Sequence, residues 1–65
     1  MVTVLVEETE DEIKPIYIIW NSGTVQEWEE FSIAYGLEET YPTHEELLET
    51  LEKLLKTKIE IININ

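Results

Sequence analysis

Cysteine is absent from this chain of 65 residues, and glycine and proline occur only twice each. Without cysteine there are no disulfides, no thiolate zinc sites and no thiol nucleophiles, so packing alone must hold the fold. The scarcity of glycine and proline, with 43% hydrophobic residues, sets the composition apart from that of disordered segments. Bases are also few, with four lysines and no arginine against fifteen acids, giving a formal charge of −11. Direct nucleic-acid binding draws its affinity from cations that displace the counterions around phosphates, so it is strongly disfavoured. A basic partner is the expectation instead. Apolar runs are short: the first, after Met1, is followed at once by acids, with no basic leader and nothing of membrane-spanning length. A soluble, cytoplasmic protein with no membrane contact is expected, folded as a single domain over residues 1–65.

Charge is unevenly placed along the chain. Residues 1–52 hold fourteen acids and one base, Lys14, whereas residues 53–65 carry Lys53, Lys56 and Lys58 against Glu60 alone. The negative field is therefore concentrated in the first four fifths of the chain.

Hydrophobic spacing indicates the elements. Val2, Val4 and Val6 alternate with Thr3, Leu5 and Glu7, the period of a strand rich in β-branched residues. A second strand is expected around Ile16 to Trp20, joined to the first as a hairpin through Thr9 to Glu12. Pro15 cannot donate a ladder hydrogen bond, which places the start of that strand at an edge or a bulge. Asn21-Ser22-Gly23 is turn chemistry, and Thr24 with Glu27 fits a capping box opening a first helix, with Val25, Trp28, Phe31, Ser32 and Tyr35 at helical spacing and Gly36 at its end. Thr43 with Glu46 marks a second helix, whose Leu47, Leu48, Leu51, Leu54 and Leu55 trace one stripe. Glu49 with Lys53 and Glu52 with Lys56 are spaced as i,i+4 pairs on its outer side. Lys58 to Ile64 reads as a last strand in which the pattern slips from Ile59 and Ile61 to Ile62 and Ile64, as a bulge or burial on both faces would cause. The expected fold is α+β with order β-β-α-α-β: a three-stranded sheet, its first strand central and parallel to the last, with both helices packed on one face. Apolar residues on both faces of the first two strands leave one face uncovered, which a homodimer would bury.

No motif assembles a catalytic or metal site, so neither an enzyme nor a cofactor is expected. His44 lacks the second histidine of a zinc-binding helix, and its expected role is at the helix start or in solvent. Ser22 and Ser32 have no nucleophile turn around them. The acids Glu7 to Glu12 lack the alternation and the turn glycine of a calcium loop.

What remains is recognition. Helix dipoles account for Glu27, Glu45 and Glu46 near helix starts, but Glu8, Glu10, Asp11, Glu12, Glu38 and Glu39 have no such reason to be acidic. Carboxylates spaced several ångströms apart on a rigid frame can imitate a phosphate backbone and occupy the basic groove of a nucleic-acid-binding protein. Trp20 and Tyr41 are the aromatic candidates to add short-range affinity, with Trp28 and Phe31 assigned to the core. In size and charge the chain resembles the small acidic anti-restriction and anti-CRISPR proteins of bacteriophages, a likeness of kind carried by no motif. It implies a competitive, non-catalytic inhibitor. Two other readings stand beside it: an interaction module using an aromatic or sheet surface, with acids for solubility, and a designed fold without natural function, to which the regular Glu/Leu/Lys pattern of the second helix is similar.

Overall fold

The computed structural model describes residues 1–65 as one α+β unit with a mixed four-stranded sheet. The strands β1 (Val2–Glu8) and β2 (Ile13–Ile19) form the expected antiparallel hairpin, although β2 begins three residues before the expected Ile16 and ends one before Trp20. Val2, Val4, Val6 and Ile18 turn to one face and are buried, the period-two pattern realised as a core face. Opposite Leu5 and Val6 the register shifts: Leu5 pairs with Tyr17 and Val6 with Pro15, so Ile16 is the extra residue of a bulge. The bulge places Pro15, which has no N–H to give, where the ladder is interrupted.

The sheet has four strands where three were expected, and the additional one is third in chain order. Where a helix was predicted to open at Thr24, β3 (Val25–Glu27) instead pairs antiparallel with Tyr17 to Ile19. The reason lies in the turn. Gly23 takes φ +90°, its N–H donates to the Trp20 carbonyl and the Trp20 N–H to that of Thr24, which folds the chain back as a hairpin. The Thr24 hydroxyl meets Ser22 Oγ at 3.0 Å and is spent on the turn, not on a helix start. Helix α1 (Trp28–Tyr35) begins four residues later, capped by Glu27 without a side-chain bond, and ends at Gly36 in the left-handed conformation, as the sequence predicts. Val25 is thereby moved off the helix and stands exposed on the sheet.

Helix α2 (His44–Leu55) is opened by Thr43, whose hydroxyl accepts the Glu46 N–H at 3.2 Å, and buries Leu47 and Leu51. Strand β4 (Ile59–Asn63) then pairs parallel with β1, giving the order β3-β2-β1-β4 with β1 inside the sheet. Pairing runs unbroken from Val2 with Ile59 to Val6 with Asn63. The slip in its isoleucine pattern is therefore neither a bulge nor two-sided burial: Ile59 and Ile61 pack against the core, whereas Ile62 and Ile64 are exposed.

Both helices lie on the face of Val2, Val4 and Val6, where a single cluster joins these valines to Ile13, Ile18, Trp28, Phe31, Tyr41, Leu47 and Leu51. An aromatic chain runs through it. Phe31 meets Trp20 edge-on at 5.5 Å and Trp28 at 5.3 Å, and Trp28 meets Tyr41 edge-on at 6.3 Å. The buried polar groups are matched, with Trp28 Nε1 donating to the Glu38 carbonyl and Ser32 Oγ to that of Glu29. No helix is long and apolar enough to cross a membrane.

Candidate interaction surface

Strand direction brings together acids that are far apart in sequence. Strand β1 ends and β2 begins at one end of the sheet, so the hairpin tip with Glu10, Asp11 and Glu12 lies there, all three exposed. The interhelical loop is tied to the same end: Ile13 and Tyr41 exchange two backbone hydrogen bonds, of 2.7 and 2.9 Å, in an isolated antiparallel bridge. This fixes exposed Glu38 and Glu39 beside the start of β2. The amino end of α2, with exposed Glu45 and Glu46, is held there by a hydrogen bond between His44 Nε2 and Glu8 Oε1. The far end of the sheet holds the amino terminus, the Ser22–Gly23 turn and, next to the Val2 N–H that donates to its carbonyl, Lys58. The end with the hairpin tip is an acidic pole whose one lysine is Lys14, opposite Glu7, whereas Lys53, Lys56 and Lys58 lie toward the far end.

Little within the chain neutralises the acidic pole. Glu8 with His44 is the one contact between a carboxylate and a histidine or lysine in the structure, and no lysine pairs with an acid. The expected pairs Glu49–Lys53 and Glu52–Lys56 do not close, since all four side chains are exposed and Lys56 has left the helix as its left-handed cap. Fourteen of the fifteen acids are exposed, and Glu8 alone is half-buried. Glu8 is also the acid that is structurally engaged: its second oxygen accepts from Asn63 Nδ2 at 2.8 Å and its carbonyl from Asn65 Nδ2 at 3.0 Å, which ties the carboxyl-terminal segment to β1. Of the six acids without a helix-dipole role, five point freely to solvent and Glu8 acts as a clasp.

The two aromatic candidates are placed differently from expectation. Tyr41 is 6% exposed and belongs to the core, edge-on to Trp28, with its hydroxyl accepting the Glu38 N–H at 3.4 Å. Burial holds the Tyr41 phenol above its ordinary value of 10.0; the backbone bond from Glu38 acts in the opposite sense, and the Glu38 charge adds to the rise. A core role follows from its backbone bridge to Ile13, which turns the ring inward, a long-range contact that its flanking Pro42 did not announce. Trp20 is half-buried against Phe31 and donates Nε1 to Gln26 Oε1 at 3.2 Å. The exposed aromatics are Tyr17 and Tyr35. The position of Tyr17 next to buried Ile18 on a strand carried its signal.

Between β3, which reaches only Tyr17, and the Ile13–Tyr41 bridge, the outer edge of β2 is uncovered at Lys14, Pro15 and Ile16. Two adjoining hollows of about 190 and 230 Å³ open there, walled by Glu27 and Glu29 on one side of Pro15 and by Trp28, Glu29 and Glu39 on the other. Both are smaller than the usual small-molecule site of roughly 300 to 1,000 Å³. No group of three or more His, Asp or Glu side chains has metal-binding geometry. Comparison with protein-family models, curated proteins and solved structures returns no match for this chain.

Proposed function

We propose that the chain is a non-catalytic, cytoplasmic inhibitor that docks its acidic pole in the basic groove of a nucleic-acid-binding protein, in the manner of an anti-restriction or anti-CRISPR protein. The observation that carries this reading is the convergence of Glu10, Asp11, Glu12, Glu38 and Glu39 on one end of a rigid sheet, all exposed and none in an ion pair. Unneutralised charges of one sign steer a basic partner over distances of about a Debye length, roughly 8 to 10 Å at physiological salt. Specificity then comes from the fixed spacing of the carboxylates, which Thr9 supports by holding the tip: its N–H donates to the Glu12 carbonyl and its hydroxyl accepts the Glu12 N–H.

The test is displacement. A variant combining Glu10→Gln, Asp11→Asn, Glu12→Gln, Glu38→Gln and Glu39→Gln keeps the fold, because none of these side chains is buried or bonded, and is expected to lose the ability of the parent to displace duplex DNA from its target protein. Equal displacement by parent and variant would overturn the reading.

A second reading has its own observation. Tyr17, Val25 and Ile62 are 37, 57 and 42% exposed on the uncovered face of the sheet, as in a module that binds through apolar contact. Its binding would survive the five neutralisations and be lost on Tyr17→Ala.

A further inference from the structure

The outer edge of β2 is framed at both ends and bare in between. Strand β3 covers Tyr17 to Ile19, the Ile13–Tyr41 bridge closes the other end, and Lys14, Pro15 and Ile16 have no strand beside them on that side. A bare edge ordinarily invites a further strand. Here the gap is three residues long, and its middle residue, Pro15, has no N–H to give, so an added strand would gain few hydrogen bonds. Side chains are what the gap can take. Its two hollows share Pro15 and Glu29 and combine an apolar floor with an acidic rim. Pro15 and Trp28 are buried and Ile16 is half-buried, whereas Glu27, Glu29 and Glu39 are exposed and none of the three is in an ion pair. The dipole of α1 suits Glu27 and Glu29 at its start, but Glu39 comes from the interhelical loop and has no such reason to face the same edge.

We infer that this groove seats an arginine side chain of the basic partner, an assignment that rests on the acidic-pole reading and locates one contact within it. Chemistry selects the occupant. Arginine has an apolar stem that lies along apolar surface and a charged head that stays at its margin, and the groove offers both, with buried Pro15 and Trp28 within and exposed carboxylates at the rim. Glu29 lines the first hollow with Glu27 and the second with Glu39, so a planar guanidinium, its N–H donors set in a rigid fork, meets two carboxylates in either. An ammonium is a compact, strongly hydrated point charge and uses such a pair less well. A second copy of the chain does not fit, since it has no arginine and carries a charge of −11. Glu39 belongs both to the groove and to the acidic pole, so a partner drawn to the pole brings its basic side chains to this edge. Lys14 stands at both hollows without an ion pair and opposes an incoming cation. Its removal should therefore strengthen the site.

The test is an NMR titration of the isotope-labelled full chain with blocked tetra-arginine, and with blocked tetra-lysine for comparison, at about 0.15 M salt. The amides of Lys14, Ile16 and Glu29 and the Trp28 indole N–H are expected to shift together and saturably, with tetra-lysine binding more weakly. Glu29→Gln should weaken the binding of tetra-arginine by about fivefold, and Glu60→Gln, the same change in net charge on β4, by less than about twofold. Lys14→Gln should tighten it by about twofold or more, and Lys53→Gln, on α2, should not. Each pair holds the net charge equal, so diffuse attraction to a chain of −11 would move both members alike. Equal effects within each pair, equal binding of the two peptides, or shifts confined to the hairpin tip would overturn the assignment. Displacement of duplex DNA from the target protein separates this assignment from the reading beneath it. Glu29→Gln displacing DNA as well as the parent would sink the groove alone, whereas groove shifts with tetra-arginine in a chain whose displacement survives the five neutralisations would sink the pole alone.

Discussion

Single residues set one backbone cost and one pH dependence in this fold. Lys56 closes α2 with φ 52° and is the only residue other than glycine in the left-handed region. That conformation costs an L-residue about 1 kcal/mol or more, which glycine does not incur. Lys56→Gly is expected to stabilise the chain by about 0.5 to 1 kcal/mol after the greater flexibility of glycine when unfolded is set against it, a rise of several degrees in Tm for a domain of this size. Thermal melts of the two proteins check it. The buried phenol of Tyr41 makes stability depend on pH. Its folded pKa is raised above the unfolded 10.0, so the folded state holds the proton more tightly. The stabilisation this gives is full below pH 10 and is lost as pH rises from there through the higher folded value. Urea titrations between pH 9 and pH 12 should show that decline at about pH 10 and above, and Tyr41→Phe should flatten it.

At the scale of elements, sequence reading succeeded where one local signal had no competitor. Alternating valines placed β1, the leucine stripe placed α2, and Gly36 placed the end of α1. It failed at Thr24, where a capping-box spacing and a hairpin turn share the same residues and Gly23 decided for the turn. The cap that did form should therefore matter more than the one that did not: Thr43→Ala is expected to cost about 1 kcal/mol, and Thr24→Ala about half of that or less. Chemical denaturation of both variants separates the two. In α1, Phe31 sits among Trp20, Trp28 and Tyr35 with no exposure. Phe31→Ala should remove about 3 to 5 kcal/mol, close to the whole stability of a small domain, and appear as loss of the cooperative melt. The candidate site was legible only in part. The acids could be picked out by lacking a helix-dipole role, but the engagement of Glu8 and the burial of Tyr41 depended on contacts with His44 and Ile13, 36 and 28 positions away in sequence, which no local pattern encodes.

Over the whole molecule, the direction of the strands separates charge. The hairpin tip, the interhelical loop and the start of α2 are brought to one end because β1 and β4 run toward it and β2 runs from it. Lys53, in the last turn of α2, Lys56 and Lys58 follow from the return of the chain to the other end. Acids at the amino end of α2 also suit its dipole, so the polarity is compatible with the fold as well as with recognition. An acidic pole built for binding and one present for solubility differ in a measurable way, which is whether a partner is held by charge at fixed positions.

The most direct test is capture of partners by the parent chain and by its five-fold neutralised variant from a lysate supplied with defined nucleic-acid enzymes, washed at about 0.1 M and then about 0.5 M salt. Recognition by the acidic pole predicts that the parent retains a basic nucleic-acid-binding protein at the lower salt, that the higher salt or added duplex DNA releases it, and that the variant never holds it. A partner retained by both chains through the higher salt, or no difference between them at the lower, would contradict it.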